Sequence, residues 1–143
     1  MNRRNFMKAV AAGIISGLAL GFFLKMAESL TGMKVYTLLL NVDYVPVLNR
    51  FRLPEWGEFS LHLAISVLLS IVLYFYQRKY SLSAGWVVKI SLAIGLLLYP
   101  TTLLSERTPG IFSGYAFFLW MTGHGIFGII LGWLLKKPSE QKA

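Results

Sequence analysis

Four side chains in this sequence stand at intervals of four residues: Glu58, His62, Ser66 and Ser70. On an α-helix that spacing draws one slowly turning polar stripe, on which Glu58 and His62 can meet. A carboxylate beside an imidazole would respond near neutral pH. The plainer reading leaves Glu58 interfacial and gives His62 a hydrogen bond to a neighbouring helix or to water. A second histidine, His124, lies beside Gly125 and Gly128. It is either a neutral imidazole bonded across helices or a ligand or proton-relay residue. Lys25 and Glu28 stand about one turn apart and suit pairing with each other or with lipid headgroups. Lys25 and Lys89 also suit snorkelling.

The segments that carry these residues are apolar. The chain is 56% hydrophobic and 14% charged, where soluble domains average about 25% charged. Its apolar residues fall in four blocks, at about 6–27, 59–76, 84–104 and 114–135. Each approaches the roughly 20 residues that cross a hydrocarbon core as helix. Lipid offers no partner to bare peptide groups, so spans of this length must be helical. The predicted fold is an all-α, four-helix membrane bundle forming a single transmembrane domain. The first helix is expected to run on to Gly32 as its C-cap. It is read as a retained helix rather than a cleaved signal, because no A-x-A site follows it.

Lys and Arg set the orientation. With the N-terminus inside, nine of them lie inside, among them Arg3, Arg4, Arg78, Lys79 and Lys136, and five outside: Lys25, Lys34, Arg50, Arg52 and Arg107. Both termini are therefore expected to be cytoplasmic. The same placement accounts for the net charge of +8, so no nucleic-acid partner is called for. The absence of cysteine removes disulfides, thiolate chemistry and iron–sulfur clusters.

A long outer loop, 33–57, joins the first two spans. Its segment Val35–Leu48 is too short to cross, and is expected to lie on the membrane surface or to cap the bundle. Pro100 is expected to kink the third span. Glu28, Glu58, His62, Thr101 and Thr102 lie at similar depth and are expected to form a polar pocket in the outer half.

Small residues mark the packing faces. Ala9, Gly13, Gly17 and Gly21 make one stripe on the first span, and Gly125, Gly128 and Gly132 another on the fourth. Such stripes let backbones approach closely. The simplest arrangement packs these two helices against each other, antiparallel; the rival is a homodimer through one stripe. No catalytic, cofactor-binding or metal-binding constellation is present. A haem between His62 and His124 is rejected, because their depths differ by roughly 10 Å at the helical rise, and two histidines alone are too few for zinc.

Three stretches, Ala12–Glu28, Leu61–Leu69 and Gly123–Lys137, together resemble the YagU-type small inner-membrane proteins of bacteria. The shared features are a small-residue helix ending in lysine and glutamate, an early histidine in the second span, and a Gly-His in the last span before basic residues. The proline-arginine motif that usually follows the first helix in that family is missing here. The resemblance implies a bacterial cytoplasmic-membrane location and no particular reaction. The expected function is a non-enzymatic, multi-pass membrane protein with an envelope or pH-response role. The alternatives are a small proton-coupled transporter, a lipid-acting enzyme, and a subunit of a larger assembly. The expected partners are the lipid bilayer and either a second copy or another membrane protein.

Overall fold

The computed structural model describes residues 3–42, 45 and 53–136. The expectations placed on Asp43, Tyr44, Pro46–Arg52 and Lys137–Ala143 lie outside the described residues.

Five α-helices and no strand occur among the described residues. The first, α1 (Arg3–Thr31), ends where Gly32 takes the left-handed conformation, φ 74°, and donates its N–H to Glu28 O at 2.8 Å. A side chain would be strained in that conformation, so glycine stops the helix. The short α2 (Val35–Leu40) follows. Next comes α3 (Glu55–Tyr80), with Glu55 and Glu58 in its first turn and Arg78 and Lys79 in its last, signs that suit the helix dipole. After Ser81–Ser83, α4 (Ala84–Leu98) runs into a 3₁₀ segment, Tyr99–Leu104, at Pro100. Proline cannot donate the next helical hydrogen bond, so the α-helix tightens there. Finally α5 (Gly114–Leu135) is capped by Ser113, whose Oγ accepts from Ala116 N at 3.3 Å.

Four helices, α1, α3, α4 with its 3₁₀ extension, and α5, are long and apolar enough to cross a membrane. Their outward faces carry large apolar side chains such as Phe22, Leu68, Leu97 and Ile129. Their inward faces hold Ser16, Ser66, Ser70, Gln77, Ser91 and His124, all buried. Lipid supplies no hydrophobic drive toward the interior, so close packing and interhelical hydrogen bonds hold such helices together.

The long helices stand in the order α3, α1, α5, α4, and each packs against its neighbours in that row. The outer members, α3 and α4, make almost no contact although a tight turn joins them. At one end α2 lies across α1, α3 and α5 with Val35, Leu38 and Leu40 buried. Of the two expectations for this segment, α2 fits capping the bundle. At the other end Lys8 Nζ donates to Lys136 O at 3.2 Å, tying the start of α1 to the end of α5.

The glycine stripes do approach other helices closely, but not each other. Gly13, Gly17 and Gly21 face α3: a Cβ on Gly13 would stand 2.7 Å from Val67 Cα, and one on Gly21 would run into the Phe59 ring. Gly128 and Gly132 face α4, at Val88 and Ala84. Gly125 is nearly clear, with Leu92 at 3.8 Å. The expected meeting of the two stripes is thus corrected. The α1–α5 contact instead sets Leu20 and Leu24 into the space left by Gly123. Glycine fixes where a backbone comes close; the partner is decided by what fits there.

Candidate functional site

Each four-residue step along a helix turns about 40°, so the α3 stripe does not point one way. At its start Glu58, with a side chain 12% exposed, faces Arg107 Nη2 at 3.6 Å. One turn on, His62 Nε2–H donates to Gly17 O at 3.3 Å. Two turns further, Ser70 Oγ donates to Ala9 O at 2.7 Å. Ser66 sits between Gly13 and Gly17. The expected Glu58–His62 pair does not form: the guanidinium draws Glu58 away, and the α1 carbonyl takes the histidine. The small residues of α1 make this possible, because only a close backbone brings its carbonyls within reach of α3 side chains.

His124 is 5% exposed on α5. Its Nδ1–H donates to Trp120 O at 3.0 Å, and its ring lies tilted against the Trp120 ring with centroids 4.5 Å apart. The space for the ring comes from Gly95 on α4, where a Cβ would stand 2.7 Å from His124 Cγ. Two further bonds knit α4 to α5. Trp120 Nε1–H donates to Gly95 O at 2.8 Å, and Ser91 Oγ donates to His124 O at 2.6 Å. Gly95 and Trp120 were not singled out in the sequence. Gly95 belongs to no stripe, and a lone tryptophan in an apolar block looks like any other.

Both histidines line one cavity of about 100 Å³ in the gap between α3 and α4. Leu61, Ile65 and Leu69 of α3 and Ile94 and Leu98 of α4 form its sides. Leu20 of α1 and Trp120 and Phe127 of α5 form its floor, and the segment Leu38–Val42 roofs it. Ser66, Ser91, Thr101 and Glu58 add polar atoms. The expected outer-half polar pocket is therefore divided. Glu58, His62 and Thr101 line this cleft, joined by His124. Thr102 is turned away, donating to Pro109 O and contacting Thr108 Oγ1 at 2.9 Å.

Glu28 belongs to a second recess, of about 400 Å³, at the α2-capped end, with Lys25, Tyr36, Glu55, Glu58 and Arg107. Lys25 and Glu28 do not pair with each other. Lys25 Nζ reaches Glu55 Oε1 at 2.5 Å and lies 5.2 Å from the centre of the Tyr36 ring. Glu28 accepts from Thr37 N and from Thr37 Oγ1, both at 2.8 Å, satisfying a first-turn N–H of α2. Tyr36 OH donates to Glu55 Oε1 at 3.1 Å. Burial, and then that bond, push the Tyr36 phenol up to about 12, so it remains a donor across the physiological range.

No group of three or more His, Cys, Asp or Glu able to hold a metal occurs among the described residues. The chemistry available in the cleft is binding: an apolar wall, a tryptophan face and a few fixed polar atoms. Comparison with family models, with curated proteins and with solved structures finds no match to this chain.

Proposed function

We propose that this chain is a multi-pass protein of the bacterial cytoplasmic membrane that binds a bilayer-dissolved amphiphile in the cleft between α3 and α4. One observation carries the reading. Two helices joined by a tight turn stay apart, and the gap between them is apolar at its edges and lined by two histidines, the buried His124 and the half-buried His62. Ligand sites are typically concave, mostly apolar and furnished with a few placed polar groups. Because the gap faces sideways, its natural supply is the lipid phase. The resemblance to YagU-type proteins and the Lys/Arg distribution support the location and the cytoplasmic placement of both ends.

The proposal needs no catalytic step. It is favoured over proton-coupled transport because the hydroxyls of Ser70 and Ser91 are both committed to helix carbonyls rather than strung along a path.

A phospholipid with a diazirine on its acyl chain tests the reading. The full-length protein is reconstituted with the probe, irradiated, and its adducts mapped by mass spectrometry. Adducts are expected on Ser66, Trp120 and His124, which are 2–5% exposed, but not on equally buried Ala9 and Leu131, which lie away from the cleft. Adducts confined to the outward faces would rule out entry of an acyl chain.

A further inference from the structure

The polar atoms that the cleft leaves uncommitted are nearly all acceptors, and this selects the ligand. His62 Nε2–H is held by Gly17 O, and His124 Nδ1–H by Trp120 O. A main-chain carbonyl has no hydrogen to give, so each ring nitrogen in these bonds is the donor. The Ser91 hydroxyl is held by His124 O, the Thr101 hydroxyl by Leu98 O at 2.7 Å, and the Trp120 N–H by Gly95 O. A neutral imidazole with one nitrogen donating keeps a lone pair on the other. His62 Nδ1 and His124 Nε2 are those nitrogens. Neither bonds to another described residue, and neither is among the sealed, unpartnered polar atoms. Ser66 Oγ, also in the lining, is likewise uncommitted and can serve as donor or acceptor. At the roof, Asn41 Oδ1 and Glu58 are engaged with Arg107, and the Asn41 amide donor Nδ2 is sealed off from the cavity.

We infer that the cleft selects an amphiphile whose polar end is a neutral hydroxyl, a phenol or alcohol, donating to His62 Nδ1 or His124 Nε2. The inference rests on the amphiphile-binding reading above. A hydroxyl supplies the hydrogen that the two imidazoles lack. An ether, ester or ketone of the same shape brings only further lone pairs and finds a donor in Ser66 alone. A cationic head would enter an apolar site whose single carboxylate already faces a guanidinium, and burying an unpaired charge is costly. The size also fits. A cavity of about 100 Å³ takes a ring-sized group, and the lateral gap leaves room for a chain to trail between Ile65 and Ile94.

The test uses para-dodecylphenol and para-dodecylanisole, which match in apolar surface and differ in whether the oxygen carries a hydrogen. Binding of each to the full-length protein in nanodiscs is measured by calorimetric titration. The phenol is expected to bind at least about tenfold more tightly, the effect of one to two ordinary hydrogen bonds. In His62→Phe and His124→Phe the phenol should fall toward the anisole while the anisole stays unchanged. The wild-type comparison stands even where a variant fails to fold. Equal binding of the two probes overturns the hydroxyl inference and leaves the cleft reading in place. Binding of neither overturns both.

Discussion

Gly128→Ala is expected to destabilise the protein by about 1–3 kcal/mol, the usual range for overpacking, while Gly125→Ala leaves it unchanged or more stable by up to about 1 kcal/mol. The two glycines are three residues apart on the same helix and look equivalent in sequence. Their surroundings differ. A Cβ on Gly128 would stand 2.9 Å from Val88 Cα and 2.9 Å from Ser91 Cβ, so α4 itself must move. Moving α4 also disturbs the Ser91–His124 bond and the fit of His124 over Gly95. At Gly125 the nearest atom is 3.8 Å away, an ordinary contact, and alanine gains its higher helix propensity at no steric cost. Gly13→Ala should behave like Gly128→Ala, because Val67 Cα and Ser66 O are main-chain atoms that cannot turn aside. Reversible unfolding in mixed detergent micelles measures all three. Equal losses at Gly125 and Gly128 would show that the close α4–α5 approach is not where the structure places it.

Glu28→Ala is expected to release α2 from the bundle. Two hydrogen bonds to a carboxylate hold this six-residue helix at its first turn, and bonds to charged groups contribute about 1.5–3 kcal/mol each when well formed. Glu28 is half-buried, so the combined loss is put at about 1–3 kcal/mol. Hydrogen exchange across Val35–Leu40 should then speed up by roughly tenfold to a hundredfold, while α1 and α5 stay protected. Glu28→Gln keeps one acceptor oxygen and should fall between. Exchange in Val35–Leu40 that is unchanged in Glu28→Ala would mean that burial of Val35 and Leu38 alone holds the cap.

The four long helices were legible because length, hydropathy and the left-handed stop at Gly32 are local properties. So was the burial of His124, which follows from glycines one turn away. What the sequence concealed was direction. A stripe of four-residue steps shows that Glu58, His62 and Ser70 lie on neighbouring faces, but not that an arginine from another loop would draw Glu58 off. Glycine stripes on the first and last helices announced two close approaches without naming the partners. The cleft itself has no sequence signal. It exists because α1 and α5 carry the glycines, so that α3 and α4 each approach one of them rather than each other. Gly95, a single glycine outside any stripe, makes the space for His124. It became visible only when α4 and α5 were seen together.

Entry of a lipid chain into the α3–α4 cleft is most directly read from Trp120. It lies on the cleft floor at 2% exposure, whereas Trp56, Trp86 and Trp133 are all at least half exposed. A protein with Trp56, Trp86 and Trp133 changed to Phe would be reconstituted in bilayers whose acyl chains are dibrominated, and its fluorescence compared with that of the single-Trp133 protein. Quenching of Trp120 that approaches that of lipid-exposed Trp133 is the expected result, since bromine must enter the cleft to reach it. Fluorescence that hardly changes would mean that the gap between α3 and α4 is closed to lipid, and a ligand drawn from the bilayer would be contradicted.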